Sequence, residues 1–157
     1  MSDWLIKEVP WDQHEGQTLR QQQRDELDIR YGNTTHEPGT PPSGDDMTVF
    51  LVARGTDGTP VACGGLRNVV DSTLGPKVME IKRMYAVPEV RGRGASTAIL
   101  VALRDTAREL GAKRLVLETG TGQPDAVRFY EKHGFTRIPL FGEYRESTLS
   151  YCYTQNL

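Results

Sequence analysis

Between Tyr85 and Ser96 a β-leaning run ends at Pro88, a short arginine- and glycine-rich turn follows, and a long amphipathic helix begins at once. The first turn of a helix leaves its backbone N–H groups without partners, and the helix dipole is positive there, so anions bind. Gly92 and Gly94 remove the side chains that would keep a pyrophosphate from the backbone. Arg91 and Arg93 add positive charge at the same place. The turn reads as a phosphate cradle, and it fixes a strand running directly into a helix at mid-chain.

The remaining chain sets the frame around this turn. Its 157 residues suffice for one domain spanning 1–157 with a real core, and are too few for two comfortable ones. A formal net charge of −2 excludes a general basic face for nucleic acid, so the arginines that matter are local. No apolar stretch approaches the roughly 20 residues that span a bilayer. The opening Met1-Ser2-Asp3-Trp4 lacks a secretion-signal layout, and a cytoplasmic location is expected. Cys63 and Cys152 each lie in an apolar strand-like run, as buried thiols rather than a disulfide framework.

Along the chain, residues 4–9 read as an opening strand and residues 12–31 as one or two polar surface helices. Residues 33–46 form a Gly/Pro-rich loop. Residues 47–54 and 61–69 form a hairpin, with Gly64 and Gly65 marking a bulge or a close backbone approach. A long strand covers 77–87. The helix over 96–110 places Ile99, Leu100, Leu103, Ala107 and Leu110 on one face and stops at Gly111. A strand over 114–118, a helix from Pro124 to His133 ended by Gly134, and strands over 135–138 and 149–153 complete the chain. The order implies a mixed sheet covered by helices, with parallel pairing in the second half and antiparallel pairing earlier.

Which phosphate carrier fits can be narrowed by spacing. A nucleotide P-loop string is absent, and the segment from Gly92 to Thr97 lacks the third glycine of a dinucleotide fingerprint. Arg91-Gly92-Arg93-Gly94-Ala95-Ser96 matches five of six places of the R/Q-x-x-G-x-G/A turn that holds the pyrophosphate of coenzyme A, with Ser96 at the last place. Two further blocks stand in order behind it: Leu115-Val116-Leu117-Glu118-Thr119, and Ala126-Val127-Arg128-Phe129-Tyr130-Glu131-Lys132-His133-Gly134-Phe135. Together with the run from Glu80 to Pro88, these blocks make the chain resemble the GNAT superfamily of acyl-CoA-dependent N-acyltransferases, and within it a bacterial small-molecule acetyltransferase subgroup.

The resemblance implies an α/β fold of the α+β mixed-sheet kind: a central, mostly antiparallel sheet with a splayed parallel strand pair, flanked by helices. It implies acetyl-CoA as cosubstrate, with no metal. The pantetheine arm would bond backbone at Tyr85, Ala86 and Val87, and the pyrophosphate would lie on the amides of Gly92, Arg93, Gly94, Ala95, Ser96 and Thr97 beside Arg91. Gln123 falls where many members carry an Asn on the cofactor arm; it could instead cap the helix start. Tyr130 is placed as the acid that protonates the departing thiolate, against a plain core role. Glu118 and Glu80 are candidate bases for the acceptor amine, against structural ion pairs, Glu80 with Lys82 or Arg83. Arg83 and Arg67 are candidates for binding an acceptor carboxylate, and Tyr31 and Tyr144 for shaping the acceptor pocket. No histidine neighbours either cysteine in sequence, so direct transfer rather than an acyl-enzyme is expected.

The activity so implied is transfer of an acetyl group to a small-molecule amine, in relatives that are often homodimers, with no nucleic acid or membrane partner. A non-catalytic acyl-CoA sensor and a protein N-acetyltransferase are the alternatives. The loop over 32–46 and the segment 141–147 would cover the site in the first reading.

Overall fold

The computed structural model describes residues 3–38 and 40–157. In chain order the elements are β1 (Leu5–Glu8), α1 (His14–Tyr31), β2 (Met47–Arg54), β3 (Pro60–Val69), β4 (Val78–Ala86), α2 (Ala95–Glu109), β5 (Arg114–Gly120), α3 (Pro124–Lys132), β6 (Thr136–Ile138) and β7 (Ser150–Asn156). The strands form one sheet in the order β1-β2-β3-β4-β5-β7-β6. Every neighbouring pair is antiparallel except β4 and β5. This is the mixed sheet expected from the alternation of strands and helices.

The parallel pair is short. It runs from Val78 opposite Arg114 to Ile81 opposite Leu117 and then stops. Beyond that point β4 stays paired with β3 up to Ala86, and β5 stays paired with β7 up to Gly120. The two strands part, leaving a notch in the middle of the sheet. A bulge accompanies the parting: two steps of β3, from Cys63 to Gly65, face three of β4, from Tyr85 to Lys82. Arg83 takes up the extra residue with φ at 58°, in the left-handed region that a non-glycine residue rarely occupies.

The bulged strand is therefore β4, although the glycine pair lies in β3. Gly64 and Gly65 serve close packing. A Cβ on Gly64 would lie 2.6 Å from Met84 Sδ and 2.8 Å from Ile99 Cγ2, and one on Gly65 would lie 2.9 Å from the Val49 carbonyl oxygen. α2 thus seats directly on β3.

Residues Ile99, Leu100, Leu103 and Ala107 of α2 are buried against Leu51, Leu66, Ile81, Leu115 and Leu117. Burying each leucine of this set contributes about 2 kcal/mol. Leu110, placed on the same face by periodicity, is instead the C-cap and more than half exposed, because the chain turns away at Gly111 with φ at 87°. α1 covers the opposite face of the sheet as a single helix. Gln13 accepts from the Gly16 amide at its start, and Gly32 closes it at φ 75°. The helix is polar, yet it docks through Leu19 and through Arg20, whose guanidinium lies 3.6 Å from the centre of the Trp11 ring. The segment around Phe141 and Tyr144 caps the same face farther along, over Val78, Val116 and Cys152. Among the described residues, no helix is long and apolar enough to cross a membrane.

Candidate active site

Two cavities meet in the notch between β4 and β5. The first has a volume of about 450 Å³ and runs from the start of α2, along the end of β4, to α3. The second, of about 100 Å³, lies on the other side of β4, beneath the loop that follows α1. Six residues line both: Gln23, Leu27, Met84, Gln123, Ala126 and Tyr130. They form the neck.

The first cavity ends in the glycine turn. Gly92 and Gly94 have φ of 80° and 92°, and nothing lies where a Cβ of Gly92 would project. The amides of Arg91 and Arg93 bond back to Pro88 and Val90, so these two are not offered to a ligand. The helical ladder of α2 begins only with the Ala98 amide on the Gly94 carbonyl, and no side chain caps the helix start. The amides of Ala95, Ser96 and Thr97 thus stand free at a positive helix end, in the cavity wall. Arg91 is held in place by its Nε on the Ala86 carbonyl at 3.0 Å and by Glu26 of α1 at 2.6 Å. Thr97 Oγ1 lies 3.2 Å from His133 Nε2, which joins α2 to α3 across the cavity floor.

At the neck, Gln23 Nε2 donates to the Met84 carbonyl at 2.8 Å. Its Oε1 is buried and has no hydrogen-bond partner among the described residues. Tyr130 is buried, and desolvation, with the nearby Glu118 carboxylate adding to it, pushes its phenol pKa well up. The phenol stays protonated at neutral pH. Gln123 precedes α3 without capping it through its side chain, which leaves its amide to the neck. The backbone at Tyr85 and Ala86 lines the first cavity on β4, while Val87 turns its amide to the Val61 carbonyl.

The second cavity is polar and charged. Glu118 lies in its wall; burial raises its carboxyl pKa, and a 2.6 Å hydrogen bond from Ser150 Oγ works against that rise. Lys82 and Arg83 of β4 also line it, and Glu37 of the loop after α1 faces them at 3.9 and 3.1 Å. Tyr31 forms part of the wall, its ring stacked on His36 at 5.0 Å and its hydroxyl accepting from the Gly122 amide. A Cβ on Gly120 or Gly122 would run into Tyr31, so these glycines admit α1 to the edge of the notch.

Glu80, Arg67 and Tyr144 line neither cavity. Glu80 is 2% exposed, and its two oxygens are taken by Arg67 Nε at 2.8 Å and the Tyr144 hydroxyl at 2.5 Å. Its ion-pair partner is the cross-strand Arg67, directly opposite in register, rather than Lys82 or Arg83 of its own strand. Lys82 reaches the same cluster only through the Tyr144 hydroxyl, at 3.0 Å. The segment 141–147 accordingly holds Tyr144 over Glu80 and lines neither cavity; of the two expected covers, it is the loop after α1, through residues 36–38, that lines the second cavity. Burial pushes the Cys63 thiol up to about 12 and the Cys152 thiol up to about 11, so neither is a ready nucleophile.

Gln23, Leu27 and Glu37 were not singled out as site residues by sequence, and Lys82 only as a partner for Glu80. The first three owe their place to the docking of α1 and its following loop onto β4, and no local spacing marks them.

Known proteins are similar to this chain in sequence and in fold. The chain is 38% identical over 101 residues to an IAA acetyltransferase of Azospirillum brasilense, covering 64% of this chain and 63% of that protein. It is 33% identical over 82 residues to the uncharacterized N-acetyltransferase YjgM of Escherichia coli, covering 52% of this chain and 48% of the relative. The chain thus spans less than two thirds of the length of these curated relatives. In structure it resembles a Klebsiella pneumoniae protein provisionally named an acyl-CoA N-acyltransferase, with a TM-score of 0.80, 25% identity, and coverage of 98% of this chain and 97% of that one. A GNAT family acetyltransferase of Elizabethkingia anophelis, solved with acetyl-CoA bound, shares the fold at a TM-score of 0.70, with 16% identity over the full length of both chains. The model of the acetyltransferase (GNAT) family matches residues 4–135, and on that match the chain belongs to the GNAT family.

Proposed function

We propose that the protein is an acetyl-CoA-dependent N-acetyltransferase that acts on a small-molecule amine by direct attack in a ternary complex. The observation that carries this reading is the neck: a long cavity ending in free helix-start amides opens, at Tyr130, into a small charged cavity containing Glu118. Donor and acceptor can enter from opposite sides and meet there.

The residues present fit acetyl-CoA. Ala95, Ser96 and Thr97 would receive the pyrophosphate, and the edge of β4 left unpaired by β5 at Tyr85 and Ala86 would receive the pantetheine amides. When bound, the cosubstrate supplies an activated thioester carbonyl. The chain's own groups supply proton transfer and position. Glu118 takes the proton that the acceptor ammonium must lose, directly or through water, and its raised pKa brings it closer to that task. The amine nitrogen bonds to the carbonyl carbon, the carbon–sulfur bond breaks, and Tyr130 gives its proton to the sulfur as the thiol leaves. Proximity accounts for much of the rate, since the neck confines both reactants.

The second cavity has a volume of about 100 Å³ and is roofed by residues 36–38, which favours a small acceptor over a polypeptide chain. Incubation with acetyl-CoA and an amine panel, with thiol detection of released CoA, tests the reading. Amine-dependent release is expected; tight binding of acetyl-CoA without release by any amine would favour a sensor instead.

A further inference from the structure

The second cavity contains a cation that is only half satisfied. The Arg83 side chain is 5% exposed, and its Nη2 meets Glu37 Oε2 at 3.1 Å. Its Nε, the other donor on the same edge of the guanidinium, is buried with no hydrogen-bond partner among the described residues. That edge is the one that grips a carboxylate with two parallel hydrogen bonds. A buried donor left unmade is costly, and here it sits on a residue already held at φ 58° by the β4 bulge. Lys82 adds a second positive charge to the same wall.

Glu37 is the member of the cluster best able to leave. It belongs to the irregular segment between α1 and β2 and touches Arg83 through a single oxygen. Removing it would leave Lys82 and Arg83 in the cavity wall against Glu118. A ligand suited to that set carries a carboxylate for the arginine and an ammonium for the glutamate. The unpartnered Gln23 Oε1 at the neck adds an acceptor for the amine N–H beside the place of transfer.

We propose that the acceptor is a small amine bearing its own carboxylate, an amino acid or a close analogue, which binds side-on to Arg83 in the position that Glu37 holds and presents its amine at Glu118 and the neck. Glu37 then acts as an internal stand-in that keeps the cation paired until the acceptor arrives. The inference rests on the acetyl-transfer reading for its chemistry, though the carboxylate site stands or fails by its own measurement.

The experiment uses a panel of small amino acids, each paired with its amide and its decarboxylated amine, on the full chain. The acids are expected to exceed their partners in kcat/KM by about 100-fold, as for a buried site built to bond a group that the analogue lacks. Arg83→Gln is expected to reduce that ratio to a few-fold, chiefly through KM. Glu37→Gln, which leaves Arg83 in place, is expected to lower KM for the acids several-fold relative to the amides. Equal turnover of acids and amides, with transfer intact, overturns this inference and spares the transfer reading. Where no amine is acetylated, calorimetric binding of the same acids and amides decides: acids binding and amides not, with the difference lost in Arg83→Gln, sustains the carboxylate site. Binding of neither, or of both alike, overturns it. Should Arg83→Gln fail to fold, the Glu37→Gln comparison alone decides: a gain in acid affinity sustains the site, and no gain overturns it.

Discussion

Glu80 and Tyr144, 64 residues apart, share a 2.5 Å hydrogen bond in which the phenol donates to a fully buried carboxylate. Arg67 takes the other oxygen, so the cluster pins the segment 141–147 to the sheet behind the notch. We propose that its role is structural, and that assignment can be measured. Tyr144→Phe removes one donor from a buried charge and is expected to lower stability by about 1–3 kcal/mol. Arg67→Met leaves the carboxylate without its counter-ion and is expected to lower it by about 3–5 kcal/mol. Denaturant melts give both values. The folded Tyr144→Phe protein should retain turnover within about threefold; full stability with lost turnover would place Tyr144 in the chemistry instead.

Much of this architecture was legible from local pattern. The apolar spacing of α2, the turn between β2 and β3, and the glycine turn at Gly92 and Gly94 are short-range signals, written in consecutive residues. Element ends were less so. Thr119 and Gly120 read as loop chemistry yet extend β5, because β7 offers Tyr151 and Ser150 as partners. Gln155 and Asn156 are poor strand formers, and pairing with β5 carries β7 through them. The partner of Glu80 depended on the β3–β4 register, which one bulged residue resets. Gln23 meets Met84 across 61 residues, and Glu37 meets Arg83 only after a loop folds over the sheet. Such tertiary placements leave no mark on either segment alone.

As the proposed base, Glu118 is expected to govern the acid side of the pH profile. A carboxyl whose pKa burial raises stays protonated, and so inactive as a base, to a higher pH than an ordinary glutamate. Turnover is therefore expected to climb as pH rises through that raised value and level off above it. Glu118→Gln should remove this limb and lower the plateau about 10²-fold. Ser150→Ala deletes the hydrogen bond that holds the pKa down, so its limb should move to higher pH. A profile unchanged in both variants would assign proton removal to another group.

Tyr130 carries a test that separates chemistry from packing. Phenylalanine keeps the ring and its edge contact with Phe135, and removes only the hydroxyl. Tyr130→Phe is expected to cut single-turnover rates about 10²-fold while leaving acetyl-CoA affinity within a few-fold. An unchanged rate would return the residue to a core role.

The most direct measurement is calorimetric titration of acetyl-CoA into the wild-type protein, Gly94→Ala and Gly94→Glu. Both variants place a side chain at φ 92° and carry the same backbone strain, about 1–2 kcal/mol. Only glutamate puts a negative charge against the free amides of Ala95, Ser96 and Thr97. The alanine variant should bind within several-fold of wild type, and the glutamate variant at least about 100-fold more weakly. Wild-type affinity in a folded Gly94→Glu protein would contradict the claim that these amides hold the pyrophosphate.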